Sequence, residues 1–383
     1  MKGPQDLAEA ARRRLPHFLY EYIAGGSYDE QTLGANREAL RRVRLRQRVM
    51  RDVSGIETGT SLFGQEVALP LGLGTVGLAG MCARRGEVQA ARAAEKAGLP
   101  FCLSTVAVCD VAEVAAGTTK PFWFQLYMIR DRAFLADMLR LAAQHCSVLV
   151  FTVDMPVGAT RYRDFRSGMS GAPGLKGMLR RGLHGALRPG WAWDVGIRGR
   201  PHGLGNLGPV LGSRAGTQDF AGWIMRNFDP SVTWADLSFV REHWKGPLVI
   251  KGVLDPEDAE AAVESGADGI VVSNHGGRQL DSAQASAEAL PAIAARVKGR
   301  TTILADGGVR SGLDLLKMLA LGADGVLLGR AWAYALAAGG EAGVSALLDG
   351  FGRDLRAAMA MTGCRTLADI GPEILARSQG TTE

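Results

Sequence analysis

From residue 69 onward, short apolar runs of strand length recur, and most are followed by a stretch with helical spacing. The runs are 69–77, 100–106, 122–127 and 147–154, then, after a gap, 247–253, 269–275, 301–308 and 325–330. Segments 86–98, 131–146, 255–267 and 311–323 carry their apolar residues at helical intervals. The strand-length runs do not alternate polar with apolar, as expected of parallel strands covered on both faces. Eight such βα units predict an α/β chain folded as a closed (β/α)8 TIM barrel, with an open doubly wound sheet as the second choice. The pattern predicts one domain over 1–383: an N-terminal helical segment (1–66), strands one to four (67–154), a long insertion (155–232), strands five to eight (233–335) and C-terminal helices (336–383).

The insertion follows strand four, and a connection that long inside a barrel is a lid, a docking element or a disordered segment. Within it Leu175, Leu179, Leu183 and Leu187 recur every fourth residue, Lys176, Arg180, His184 and Arg188 form the adjoining stripe, and Trp191 and Trp193 follow. This reads as a basic amphipathic helix suited to an anionic membrane surface over 175–193. Gly177, Gly182 and Gly185 weaken the helix, so ordering on contact is expected.

Composition excludes some classes. The first 26 residues read as an amphipathic helix and a turn, without the apolar core of a signal peptide. The longest uncharged stretch, 67–83, is too short for a spanning helix and is broken by Pro70. Five scattered cysteines argue against a disulfide framework and against a zinc site, so no metal is expected and a reducing cytoplasm fits. The charge of +5 gathers in two basic runs, 37–51 and 175–200. Neither has aromatic interleaving or a nucleic-acid-binding motif, so no nucleic-acid partner is expected.

The predicted strand ends carry the chemistry. Thr75, Ser104, Gln125, Tyr127, Thr152, Asp154, Lys251, His275, Arg278, Asp306 and Arg330 all fall there, where a barrel keeps its active site. His275 suits a general base, and Asp154 is the candidate carboxylate behind it. Arg278, in the same loop, can hold a carboxylate bidentately. Lys251 can stabilise developing negative charge, or form a Schiff base. Gly307, Gly308, Gly329 and Arg330, after the last two strands, suit a phosphate. These residues alone do not name a cofactor.

The stretch "SNHGGRQLD" (273–281), with "KGV" upstream and "DGGVRSGLD" downstream, resembles the signature of the FMN-dependent L-2-hydroxy-acid oxidising family. The resemblance runs from 15–33 to 336–367, and "WFQLY", "FTVDMP", "RYRD" and "WAWDVG" are most similar to its membrane-associated L-lactate dehydrogenase branch. It implies FMN as cofactor, L-lactate or another L-2-hydroxy acid as substrate, and quinone or another respiratory acceptor as oxidant. It also implies a homo-oligomer, a tetramer, peripheral on the cytoplasmic face of the inner membrane. By resemblance His275 is the base, oriented by Asp154. Arg278, Arg161 and Tyr22 hold the substrate carboxylate, and Tyr127 the hydroxyl. Val76, Gly77, Ser104, Gln125, Thr152, Lys251 and Ser273 hold the flavin, and Asp306, Gly307, Gly308, Arg310, Gly329 and Arg330 its phosphate. Thr75 stands where the family often has proline. Val106 replaces a bulky aromatic of glycolate oxidase, which leaves room for a larger substrate.

Overall fold

A computed structural model of the chain describes residues 3–170, 175–208 and 226–376. A hairpin of β1 (Thr60–Leu62) and β2 (Gln65–Val67) precedes eight parallel strands: β3 (Leu71–Leu73), β4 (Cys102–Ser104), β5 (Phe122–Tyr127), β6 (Cys146–Thr152), β7 (Leu248–Val253), β8 (Gly269–Val272), β9 (Thr302–Ala305) and β10 (Gly325–Leu328). Hydrogen bonding runs β3-β10-β9-β8-β7-β6-β5-β4. The Leu73 amide donates to the Pro100 carbonyl at 2.9 Å, and Leu73 bridges Phe101, which closes the barrel. β5 fills its run and β7 reaches the end of its own; the other strands are shorter than the apolar runs suggest, because the last residues of those runs leave the ladder to form the loops above the barrel.

Strand side chains alternate inward and outward. Cys102, Trp123, Val148, Val150, Val249, Val271, Leu304 and Leu327 form one buried inner cluster with Leu62 and Val67 of the hairpin. Phe63 packs edge-on against Trp123 at 5.5 Å, so the hairpin plugs the N-terminal end of the barrel. Full burial of an apolar side chain of this size contributes about 1.5–3 kcal/mol. Two residues further along, the same inward phase reads Ser104, Gln125, Thr152, Lys251, Ser273, Asp306 and Gly329. The barrel is therefore apolar below and polar above, and register places Ser104 beside Gln125, Tyr127 beside Thr152, and Thr152 beside Lys251.

The N-terminal segment differs from the single helix expected. α1 (Pro4–Arg14) and α2 (His17–Ala24) are separate, because Pro16 lacks the amide that would continue α1. α3 (Gln31–Arg42) follows. On the barrel wall lie α4 (Gly86–Lys96), α5 (Val111–Gly117) and α6 (Arg132–His145); Asp110 and Asp131 cap the last two through the amides of Glu113 and Phe134. The last helix, Arg330–Thr362, bends at Gly339–Gly340 and packs against α1 and α4.

The insertion carries α7 (Tyr162–Ser167) and α8 (Leu175–Ala186). Leu179, Leu183 and Leu187 of the expected apolar stripe are 66 %, 59 % and 60 % exposed. His184, on the adjoining stripe, packs on Phe18 and His17 of α2. Trp191 departs from the expectation: it is buried, and its indole N–H donates to the Met81 carbonyl at 2.8 Å, whereas Trp193 stays exposed. The side chains of Leu175 and Lys176, and residues 171–174 and 209–225, lie outside the described residues. Among the described residues no helix is long and apolar enough to cross a membrane.

Candidate active site

The stretch 273–281 is a turn in which nearly every side chain has a separate task. β8 ends at Val272, not at His275, and the chain then passes through three left-handed residues, His275 (φ 56°), Gly276 (φ 63°) and Gly277 (φ 72°). A Cβ on Gly277 would stand 2.5 Å from the Leu33 nitrogen, so glycine is required there both for conformation and for contact with α3. A histidine in this conformation is strained, a feature that concentrates at functional sites.

Ser273 Oγ accepts from Lys251 Nζ (2.9 Å) and from the His275 amide (3.0 Å). Asn274 and Asn36 exchange amide hydrogen bonds at 2.8 and 2.9 Å. Arg278 lies over the Tyr22 ring and donates to the carbonyls of Tyr22 (2.7 Å) and Gly25 (2.8 Å). Gln279 donates to the carbonyls of Asp154 (3.1 Å) and Val157 (3.0 Å), which pins the loop after β6. Asp281 accepts from the amides of Asp29, Gln31 and Thr32, at the start of α3. The motif thus ties the barrel to the N-terminal segment.

His275 Nδ1 and Asp154 Oδ1 are 2.9 Å apart. Burial works to raise the Asp154 pKa, but His275 and Lys251 outweigh it and hold the carboxyl below the usual range. An ionised carboxylate only accepts, so Nδ1 carries the proton and Nε2 keeps its lone pair. Burial lowers the His275 pKa, with Lys251 and Arg161 adding to the effect and Asp154 opposing it. The imidazole is therefore neutral at pH 7, as a base must be. Gly252, of "KGV", makes room for this pair: its φ is 108°, and a Cβ would meet the Asp154 Cβ at 2.5 Å.

A cleft of about 1140 Å³ opens above the barrel. Of the residues expected there, Tyr22, Val76, Gly77, Ser104, Tyr127, Thr152, Arg161, Lys251, His275, Arg278, Asp306, Gly307, Gly308, Arg310, Gly329 and Arg330 line it. Asp154 stands behind His275, Gln125 lies buried beneath the floor, and Ser273 is buried under Lys251. Ser104 Oγ, Gln125 and Thr152 form a hydrogen-bonded chain at 3.1 and 3.0 Å. Lys251 faces Asp306 at 3.3 Å; burial lowers its pKa, but Asp306 and Asp154 outweigh that and keep the ammonium charged.

The cleft carries a surplus of positive charge. Burial and neighbouring Arg278 lower the Arg161 pKa to about 10, and burial with Arg278 and Arg310 lowers that of Arg330 to about 9. Arg310 is lowered mainly by burial. Arg161 has Asp164 at 3.9 Å, while among the described residues Arg330 donates only to the carbonyls of Ile23, Gly25 and Gly276. Buried cations without anions are costly, so this arrangement suits anionic ligands. Gly329, at the start of the last helix, has no atom of the described residues beyond its chain neighbours within 4 Å of a would-be Cβ, whereas a Cβ on Gly308 (φ 85°) would fall 2.3 Å from the Asn36 carbonyl oxygen. The first glycine leaves space in the cleft, and the second is required by α3.

The sequence reading did not single out Asn36, Gly252, Asn274, Gln279 or Asp281. Four of these lie within the quoted motifs, but their role is to brace backbone, and no titration or spacing marks it.

Comparison with known proteins agrees with this architecture. The chain is 61% identical to an L-lactate dehydrogenase of Caulobacter vibrioides, over 97% of this chain and 96% of that one. It is 57% identical to an L-lactate dehydrogenase of Acinetobacter baylyi, over 98% and 97%. Among solved structures it resembles the monotopic membrane protein (S)-mandelate dehydrogenase, with a TM-score of 0.91 and 34% identity over 99% of this chain and all of the other. A mandelate oxidase with (S)-4-hydroxymandelic acid gives a TM-score of 0.84 and 38% identity, over 98% of each chain. The family model for FMN-dependent dehydrogenases matches residues 11–377, and with these relatives and this barrel the chain belongs to that family.

Proposed function

We propose that this enzyme oxidises an L-2-hydroxy acid, L-lactate in first place, to the 2-keto acid, and passes the electrons to quinone or another respiratory acceptor. The observation that carries the reading is His275, hydrogen-bonded to Asp154 at 2.9 Å, in a cleft that also presents Arg161 and Arg278. FMN, when bound, accepts the electron pair. Arg161 and Arg278 hold the substrate carboxylate with Tyr22, so that His275 Nε2 faces the reacting carbon while Tyr127 hydrogen-bonds the hydroxyl on it. Asp154 fixes the imidazole tautomer and stabilises the imidazolium that forms when Nε2 takes a proton. Val76 and Gly77 through backbone, with Ser104, Gln125, Thr152, Lys251 and Ser273, hold the flavin. Lys251 offsets negative charge on it. Asp306, Gly307, Gly308, Arg310, Gly329 and Arg330 hold its phosphate end.

The test is anaerobic mixing of the holoenzyme with L-lactate, D-lactate and L-mandelate. L-lactate should bleach the flavin band and D-lactate should not, and His275→Gln should keep FMN yet lose bleaching. Full bleaching in that variant would overturn the role of His275. The likeness to mandelate enzymes and the small Val106 favour a second reading, a mandelate-type or broad-range dehydrogenase or oxidase, which faster bleaching by L-mandelate would establish.

Membrane docking through 175–193, at the cytoplasmic face, belongs to the same proposal. Its support is the exposed Leu179, Leu183 and Leu187, and the likeness to a monotopic membrane protein. The tetramer is likewise proposed, and light scattering counts its copies.

A further inference from the structure

A second cavity, of about 900 Å³, lies on the far side of Tyr127, Thr152 and Met155. The same three residues line the cleft described above, so the two spaces share a wall one side chain thick. Most of the other lining residues have apolar side chains, Phe228, Val232, Trp234 and Val253 among them. Phe228 is buried with its ring 4.9 Å from that of Tyr127 and inclined by 32°, which gives the cavity a flat aromatic side. Arg161, Arg278 and His275 line only the cleft, so a small hydroxy acid held by them has no polar reason to enter the second space.

Its polar groups are few, and most are engaged. Asp229 pairs with Arg132 at 2.6 Å and accepts from Ser231, and Thr233 caps the turn at Asp236. Asp258 lines the cavity and reaches solvent, and no hydrogen bond or ion pair to it is found among the described residues. Partial burial, then Asp255 and Glu257, raise its pKa, so it holds a proton more readily than an ordinary carboxyl.

The geometry points to this cavity as the seat of the oxidant, a quinone whose ring lies against Tyr127 and Phe228; this rests on the function proposed above. A quinone needs two electrons and two protons to leave as quinol. FMN, held in the cleft and reduced there, would supply the electron pair and one proton, and Tyr127, Thr152 and Met155 are the residues that stand between it and the quinone. The second proton enters from solvent, with Asp258 at the cavity wall placed to relay it. A slot with aromatic rings on one side, the cleft that would hold the redox cofactor behind one wall and a solvent-reaching carboxyl at another suits that chemistry.

The test uses the holoenzyme, a short-chain water-soluble ubiquinone and two cavity-filling variants, Val232→Trp and Pro230→Trp, the second at an exposed position that tolerates bulk. Calorimetry reads quinone affinity, and stopped-flow reads each half-reaction separately. Filling the cavity should weaken quinone binding and slow flavin reoxidation by quinone about tenfold or more, with bleaching by L-lactate and reoxidation by ferricyanide changed by about twofold at most. Asp258→Asn should keep quinone affinity and slow only the quinone half-reaction. Parent-like affinity and reoxidation rate in the filled variants would overturn the proposal. A flavin that no 2-hydroxy acid bleaches would instead overturn the function proposed above, while calorimetry would still report on the cavity.

Discussion

Two glycines at the proposed phosphate end of the cleft answer to different masters, and replacing each by alanine separates them. Gly308 has φ 85°, and a Cβ there would lie 2.3 Å from the Asn36 carbonyl oxygen and 2.8 Å from its carbon. Both are backbone atoms of α3, held in place by the Asn36–Asn274 amide pair, so neither yields cheaply. The left-handed conformation costs a non-glycine about 1–2 kcal/mol and the overpacking about 1–3 more, together about 2–5 kcal/mol. With an unfolding entropy of about 2.1 cal/mol/K per residue, 383 residues give about 0.8 kcal/mol/K. The FMN-free Gly308→Ala protein should therefore melt about 3–6 °C below the parent. Gly329→Ala meets no protein atom within 4 Å. Its FMN-free form should stay within about 1 kcal/mol of the parent, while FMN affinity falls about tenfold or more, a loss of about 1.4 kcal/mol. Differential scanning of the FMN-free proteins and fluorescence titration with FMN read both quantities. Equal melting of Gly308→Ala and parent would refute the close-packing argument, and undiminished FMN affinity in Gly329→Ala would refute the assignment of its empty side to ligand.

Asp154→Asn removes the charge that supports the His275 proton, so kcat should fall about 10²-fold or more, and the acid limb of kcat/KM should move to still lower pH. His275 is depressed in the folded protein; the unfolded chain then binds that proton more readily, so this residue costs stability as pH falls below about 6.5 and costs nothing above it. Stability measured in urea against pH checks the sign. Asp281→Ala leaves three amides at the start of α3 without their acceptor and should cost about 1–2 kcal/mol by denaturant titration, an effect that Asp281→Asn partly rescues. Deletion of residues 175–188 should release the protein from vesicles of anionic lipid while L-lactate still bleaches its flavin, and equal partition of deletion and parent would sink the docking proposal.

The barrel was legible because parallel strands covered on both faces leave unbroken apolar runs, and eight of them are hard to fold otherwise. The titratable members of the cleft were legible for a related reason, since His275, Lys251 and Asp306 end runs that are otherwise apolar. Other features were not. The break at Pro16 hides in a sequence that is amphipathic on both sides, and only proline's missing amide decides it. Trp191 has the same composition signal as Trp193, but a long-range bond to the Met81 carbonyl turns one inward. The second cavity draws on β5, β6, β7 and the segment 228–234, which no local pattern brings together.

The deepest regularity is a conflict. Inward positions of a barrel should be apolar at every level, yet the upper level of this one is polar from Ser104 to Asp306, with Lys251 buried among them. Evenly spread charge would solvate itself, but here the arginines crowd until burial and mutual repulsion bring Arg330 to about 9 and Arg161 to about 10. Asp154 Oδ2 and Asp306 Oδ1 are buried with no hydrogen-bond partner among the described residues. A fold selected for stability alone would remove these features by a few substitutions, since well-packed apolar residues commonly equal or exceed a buried ion pair. Their coexistence at one end of an otherwise well-packed barrel is intelligible if ligands complete the structure, anions for the guanidinium groups and hydrogen-bond donors for the carboxylate oxygens. The proposed phosphate end of FMN and the proposed substrate carboxylate would supply anions to Arg161, Arg278, Arg310 and Arg330, which line the same cleft as the strained His275.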